Sequence, residues 1–590
     1  MNSLYIIIRE LILKKTVPSL YTFCLFSFFV NVSLAQGTWT PVTNLAPDSC
    51  GGVMLLMSDG SVIAKAYTGG NDSIGSIWNK LTPDIHGSYV NGTWTSTASM
   101  NHSRLYFSSQ VLKDGRVYVA GGEYGTGYNK AETYDPVVDQ WTMAPSQGVT
   151  YSDANSEILP DGRVLQAIVG GGSHTTSIFN PLTNSWSPSP TAIGSHNESS
   201  WVKLPDQSIL FVDVNSVNSE RYIPSLNQWV VDAQLPNQLY DPFGSECGPG
   251  LLLPDGRAFF LGGTNQTAIY TPSGTTSPGT WAAGPVIPNN KGVPDGAAAM
   301  LPNGKILCAV SHAPTSITHI FDAPTWFYEF DYLTNYFNPV LAPNGLDTLS
   351  VPSYYTNMLV LPDGNILFAD LEAVQYYIYS PSGSPLVAGK PAIDTLWNDT
   401  NCNYTITGTN FNGISEGASY GDDFQMATNY PLVRLTNGSN VYYARTFNWN
   451  RTDVQIGGLA DTTQFSLPTG LPVANYWLQV IVNGIASDSI SFTPCFNLGV
   501  STTKISNDDQ ITLYPNPATD ELYLNFNLQK KSVVTIELID ILGQTLIQKN
   551  KGMVTESFTE QMDISKLSNG VYFIKTTLEN KTTFIKFVKE

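Results

Sequence analysis

From residue 36 to about residue 388, short apolar runs alternate with polar turns, and one arrangement recurs: an apolar strand, a turn of the Pro-Asp-Gly type, a second apolar strand, often then Gly-Gly. Seven copies stand in order: "VMLLMSDGSVIA", "SQVLKDGRVYVAGG", "SEILPDGRVLQAIVGGG", "WVKLPDQSILFVD", "LLLPDGRAFFLGG", "AMLPNGKILCAV" and "MLVLPDGNILFAD". Asp-Gly between two apolar runs predicts a tight hairpin, because glycine accepts the positive φ that such turns need. The turn residues Gly60, Gly115, Gly162, Gln207, Gly256, Gly304 and Gly364 are spaced by 55, 47, 45, 49, 48 and 60. That period fits one four-stranded propeller blade per copy, with each hairpin expected to form the two middle strands.

A third strand follows each hairpin, as in "AETYDP", "TSIFNP", "TAIYTP" and "YYIYSP", and most copies then reach a tryptophan: Trp141, Trp186, Trp229, Trp281. Each tryptophan is expected to open the outer strand and pack between neighbouring blades. The last copy has none, while the segment after residue 35 opens "QGTWTPV" with no inner strands before it. Trp39 and its neighbours therefore complete the seventh blade, and the ring closes with residues from both ends, which leaves few bare strand edges.

Beyond residue 388 the pattern changes. From 389 to 495 strands alternate with period two, as in "NYTITGTNF", "VYYARTFNW" and "YWLQVIVNG", which predicts an immunoglobulin-like sandwich. Cys402 near its first strand and Cys495 at its end are a candidate disulfide in an oxidising compartment. Residues 496–509 read as a polar linker. The fold class is thus all-β: a seven-bladed propeller followed by an immunoglobulin-like sandwich.

Composition agrees. Charged residues make up only 13% of the chain, against about 25% in ordinary globular proteins, and turn formers are plentiful. Residues 1–35 read as an export signal, with Arg9, Lys14 and Lys15 ahead of the apolar run "LYTFCLFSFFVNVSLA". No other stretch is apolar enough to span a membrane. Removing that segment takes three cations from 29 and one anion from 48, leaving 26 against 47 and a formal charge of −21. Such a surface repels phosphate backbones and argues against nucleic-acid binding.

Two resemblances follow from quoted motifs. The segments "ITLYPNPATDELYLNF", "VTIELIDILGQTL", "MDISKLSNGVYFIKT" and "TTFIKFVKE", in that order at the C-terminus, resemble the C-terminal sorting domain of the type IX secretion system of Bacteroidota. This resemblance implies that residues 510–590 fold as a further small β-sandwich, that the secretion machinery is a partner and that the protein is carried to the outer-membrane surface of a Gram-negative cell or released from it. The repeats resemble kelch-type propellers, and more narrowly the propeller of galactose oxidase and glyoxal oxidase. The stretch "GTNFNGISEGASYGDDFQMATNYPLVRL" is similar to the sandwich that follows the propeller in that family.

Residues nine positions before each turn are expected near the propeller axis, at the channel mouth where propellers bind ligands. These are Tyr106, Asp153, Glu198, Cys247, Asp295 and Tyr355, with Cys50 at ten in the first copy. In the oxidases a cysteine here crosslinks to a tyrosine of the next blade, a Tyr-His pair ligates copper, and the sandwich adds a histidine. By that resemblance Cys247 fits the cysteine and Tyr354 the tyrosine of the pair. Asp295 stands where the crosslinked tyrosine belongs, Tyr355 where the histidine belongs, and no histidine follows His319. Copper is therefore not expected. Cys247 reads as a small buried thiol, with a reactive thiol or a disulfide to Cys50 as alternatives.

The carboxylates Asp153, Glu198 and Asp295 remain candidates for holding calcium, or for accepting hydrogen bonds from sugar hydroxyls beside Tyr106 and Tyr355; the competing reading is that they are solvated loop ends. Asp422 and Asp423 in "YGDDFQ" are either calcium ligands or a hydrated pair. The favoured function is non-catalytic binding of a glycan or another extracellular macromolecule. The alternatives are an oxidoreductase with an altered axial site and an adhesive or structural surface protein.

Overall fold

The seven turn residues behave as the hairpin chemistry requires: Gly60, Gly115, Gly162, Gln207, Gly256, Gly304 and Gly364 all lie at positive φ, between 71° and 87°. The structure is a computed structural model that describes residues 36–67, 74–170, 174–399, 403–416, 429–495, 510–528, 530–541, 543–554, 557–578 and 581–590, with the backbone also at 418–419, 425–426 and 501–504. The expected export signal, Cys402, Asp422 and Asp423 lie outside the described residues.

The seven repeats form seven four-stranded antiparallel blades. Blade 1 runs from Cys50–Leu56 to Thr93–Ser96, blade 2 from Ser108–Val111 to Gln140–Met143, and blade 3 from Ser156–Ile158 to Ser185–Thr191. Blade 4 spans Ser200–Lys203 to Gln228–Val231, blade 5 Gly250–Leu252 to Thr280–Ala283, and blade 6 Ala298–Met300 to Tyr336–Val340. Blade 7 holds Thr356–Val360, Ile366–Asp370 and Tyr377–Ser380, and its outer strand is Thr38–Pro41 from the other end of the propeller. The ring closes as the sequence predicts.

One expectation is corrected. Each Asp-Gly hairpin joins the first strand of its blade to the second, rather than the two middle strands. First strands of neighbouring blades touch one another, as in blades 2 and 3, 4 and 5, and 6 and 7, so they are the ones that surround the axis.

The outer tryptophans hold the blades together. Trp141, Trp186, Trp229 and Trp281 each sit on an outer strand opposite an aromatic ring of the third strand: Tyr134, Phe179, Tyr222 and Tyr270. Their indole N–H groups donate backward, Trp141 to the Ala98 carbonyl, Trp229 to Thr176 Oγ1 and Trp281 to Ser219 Oγ. Burying a large ring while satisfying its N–H is the arrangement tryptophan favours. In blade 6, Phe337 opposite Phe330 takes the place.

After the propeller, eight strands between Ala392 and Phe492 form one sheet that curls through Asn440–Phe447, a strand paired with Leu432–Asn437 along one stretch and with Asp461–Ser466 along another. The Asp-Gly turns press on this domain. An added Cβ at Gly60 would meet Tyr443 at 2.5 Å, and one at Gly115 would meet the Thr446 carbonyl at 3.2 Å. Thr446 N–H donates to the Ser58 carbonyl at 3.0 Å, and Arg445 Nη2 to the Asp114 carbonyl at 2.8 Å.

The sequence did not indicate what lies on the axis. Strands Ala418–Ser419 and Gln425–Met426 pair with each other antiparallel, and Ala418–Ser419 also pairs with the first strand of blade 6, Ser419 opposite Ala298. The hairpin also touches the first strands of blades 1, 2, 5 and 7.

At the C-terminal end, Ser501–Lys504, Gln510–Tyr514, Glu521–Asn527 and Phe558–Asp563 make one four-stranded sheet, and four further strands between Ser532 and Lys589 make a second. Ile511, Leu524, Ile536 and Phe587 are among the side chains buried between them. The expected linker is thus corrected in part, since Ser501–Lys504 pairs with Gln510–Tyr514 instead of spanning freely. Among the described residues no helix is long and apolar enough to cross a membrane.

Candidate functional site: the axial mouth

In blades 2 to 7 the residue nine places before the turn lies one to three positions ahead of the first strand, which then runs down toward the turn. The turns face the sandwich, so those residues gather at the opposite end of the axis.

Four of them share a backbone state. Tyr106 (φ 50°), Asp153 (φ 40°), Glu198 (φ 55°) and Asp295 (φ 53°) all adopt the left-handed conformation. In blade 1 that conformation falls on Gly52, at φ 105°. Glycine takes it without cost, whereas a non-glycine residue gives up about 1–3 kcal/mol. Asp153 and Glu198 flank the junction of adjacent blades, where Ala154 and Asn197 form a backbone bridge. Asp153 is 6% exposed; Tyr106, Glu198 and Asp295 are half-buried. The Asp295 N–H donates to the Cys247 carbonyl at 3.3 Å, which joins these two expected positions across blades 5 and 6.

Tyr354 and Tyr355 depart from the pattern. They lie in a short 3₁₀ turn, Ser353–Tyr355, with rings 4.8 Å apart and edge to face. Phe321 packs on Tyr354 at 4.7 Å, and Tyr124 faces Tyr106 at 6.2 Å. Tyr124 is 40% exposed. The loop bearing Phe321 also holds His319, whose Nδ1 is 3.0 Å from Asp322 Oδ2.

One group here escaped the sequence reading. Lys65, at the end of the second strand of blade 1, is fully buried with Nζ donating to the Gly51 carbonyl at 2.7 Å. Burial lowers its amine to about 7. Near it Cys50 is also fully buried, and burial pushes its thiol up. The signal for Lys65 was present in "VIAKA", a lone cation inside an apolar strand.

Cys50, Cys247 and Cys308 carry buried thiols outside any disulfide. The alternative of a Cys50–Cys247 bridge is therefore corrected. Cys495 is disulfide-bonded.

Among the described residues no three His, Cys, Asp or Glu side chains come close enough together to hold a metal ion. Asp153, Glu198 and Asp295 lie just ahead of the first strands of three different blades. His86 contacts the Ser439 carbonyl on the sandwich side, and His102 contacts Thr126 Oγ1. His196 is buried against Trp201, Phe211 and Trp229, and burial lowers it to about 3. His312 packs on Trp326, and His319 pairs with Asp322.

Comparisons with known proteins identify two parts of the chain. Residues 512–590 match the family described as secretion system C-terminal sorting domain, and residues 109–148 match the kelch motif. The F-box/kelch-repeat protein SKIP30 of Arabidopsis thaliana is 30% identical over 118 residues, 19% of this chain and 31% of that protein. The Kelch-like protein terF of Aspergillus terreus is 32% identical over 80 residues, 12% of this chain and 17% of that protein. The chain thus spans less than a third of the length of either curated relative. Among solved structures, a fungal alcohol oxidase of the AA5 family in complex with copper aligns with a TM-score of 0.47 at 15% identity, covering 78% of this chain and 100% of that one. The chain thus carries a kelch motif within its seven-bladed β-propeller and a secretion system C-terminal sorting domain at residues 512–590.

Proposed function

We propose that this exported protein binds a glycan, or another polyhydroxylated extracellular polymer, at the axial mouth of its propeller. The observation that carries the reading is the left-handed backbone of Tyr106, Asp153, Glu198 and Asp295. Glycine would serve that backbone at less cost, so side chains kept there are held for what they present, and strained residues of this kind concentrate at ligand sites. Carboxylates accept hydrogen bonds from sugar hydroxyls, and the exposed Tyr124 ring beside Tyr106 offers a flat apolar face for a pyranose. The sorting domain accounts for delivery to the outer surface of a Gram-negative cell of the Bacteroidota, or release from it.

A second reading, catalysis at an altered axial site, is favoured by the His319–Asp322 pair on the loop that packs against Tyr354. A carboxylate at Nδ1 orients an imidazole for proton transfer at Nε2.

A glycan array probed with the chain lacking residues 1–35, alongside copper analysis and a peroxide assay on alcohols and aldehydes, separates these readings. Retention on a polysaccharide without peroxide supports binding. Stoichiometric copper with peroxide release overturns it.

A further inference from the structure

The opposite end of the axis holds a second site, built from both domains. There the first strands of blades 2, 3 and 4 meet sandwich segments 429–430 and 449–452 around a cavity of about 30 Å³, room for one or two water-sized species.

Three acceptor atoms at this junction have no donor. Glu157 is 2% exposed and Asn429 is 8% exposed; both line the cavity, and Glu157 Oε2 and Asn429 Oδ1 are buried without a partner. The Asn429 amide is fixed, because its Nδ2 donates to the Asn412 carbonyl at 2.7 Å and the Ser415 carbonyl at 2.8 Å. Its oxygen must therefore face away from those carbonyls. Glu416, 6% exposed, adds a third such atom, Oε2; it is not on the cavity wall but lies within electrostatic reach of Glu157 and Lys203.

One cation is present but already committed. Lys203 Nζ donates to Glu157 Oε1 at 2.8 Å and to the Thr452 carbonyl at 3.1 Å. Burial and the neighbouring Glu157 charge push the Glu416 carboxyl well up; with both carboxyl groups ionised, the single ammonium would leave one negative charge uncompensated, a costly arrangement unless something positive joins it.

We propose that one hard metal cation, sodium or calcium, binds at this junction, ligated by Glu157 Oε2 and Asn429 Oδ1 from the cavity wall and by Glu416 Oε2 from beside it. All three donors are oxygen, which selects hard ions over transition metals. Glu157 belongs to blade 3, whereas Glu416 and Asn429 flank the sandwich hairpin that enters the axis, so the ion would fasten the two domains together. This site is independent of ligand binding at the mouth.

The test is thermal melting of the chain lacking residues 1–35, at constant pH and ionic strength, in sodium chloride, calcium chloride and tetramethylammonium chloride. Sodium or calcium should raise the melting temperature by about 3 °C or more over tetramethylammonium, and Glu157→Gln and Glu416→Gln should each remove the difference. Sodium NMR line broadening and elemental analysis for calcium on the wild-type protein identify the ion even if a variant fails to fold. Equal melting in all three salts with no ion found would overturn the proposal in favour of a shared proton or a water molecule. A salt response that persists in both variants would overturn it in favour of a site elsewhere.

Discussion

Trp39 lies directly opposite Tyr379 in the outer pair of blade 7, their rings 4.7 Å apart, although some 340 residues separate them in the chain. Its indole N–H donates to the Leu341 carbonyl of the preceding connection at 2.7 Å, and its ring also meets Phe327 and Phe368. This one side chain of the opening strand therefore fastens that strand to the last blade and to blade 6. Trp39→Ala should cost about 2–4 kcal/mol, read as a lower urea midpoint. A loss under 1 kcal/mol would mean that the ring does not depend on this closure.

Gln207 is the one non-glycine among the seven hairpin turns, at φ 71°, and its Nε2 donates to Asp453 Oδ2 of the sandwich at 3.0 Å. Alanine there loses the hydrogen bond and keeps the backbone cost; glycine loses the bond and sheds the cost. Gln207→Ala should therefore be the less stable of the two variants by about 1 kcal/mol, measured by denaturation. The reverse order would show that the turn is unstrained.

These turns mark what was legible in the sequence. Asp-Gly fixes a backbone state that few residues accept, so seven copies at blade spacing revealed the propeller, and counting from them reached Asp153, Glu198 and Asp295. Which hairpin strand lies innermost was not legible, because all its strands are apolar. Nor was the axial hairpin, since the short polar run "ASYGDDFQM" carries no apolar alternation. The Glu157–Lys203–Glu416 cluster joins positions up to 259 residues apart, and only folding brings them together.

Gly484 meets Gly364 at the propeller–sandwich contact: a Cβ on Gly484, at φ 72°, would lie 2.7 Å from the Gly364 Cα. Gly543 has a similar φ of 83° in open space. Gly484→Ala should destabilise by about 2 kcal/mol or more and Gly543→Ala by about 1 kcal/mol. Equal melting shifts would argue that the two domains do not press together there.

Lys65 sets a pH dependence. Burial holds its folded amine at about 7, whereas the unfolded chain titrates it near 10.4. Between those values the unfolded state binds more protons, so stability rises with pH from about 7 to 10 and is flat with respect to this group below 7. The span corresponds to about 3–5 kcal/mol. Lys65→Met loses the bond to the Gly51 carbonyl but should abolish that slope in denaturation curves taken from pH 6 to 10. An unchanged slope would place the titration elsewhere.

The most direct test of binding at the mouth is titration of a retained polysaccharide against the chain lacking residues 1–35 and its Asp153→Asn, Glu198→Gln, Asp295→Asn triple variant. The predicted result is at least a tenfold loss of affinity, about 1.4 kcal/mol, with melting within a few degrees of the parent. Full affinity in the folded triple variant would contradict a ligand site on the axial mouth.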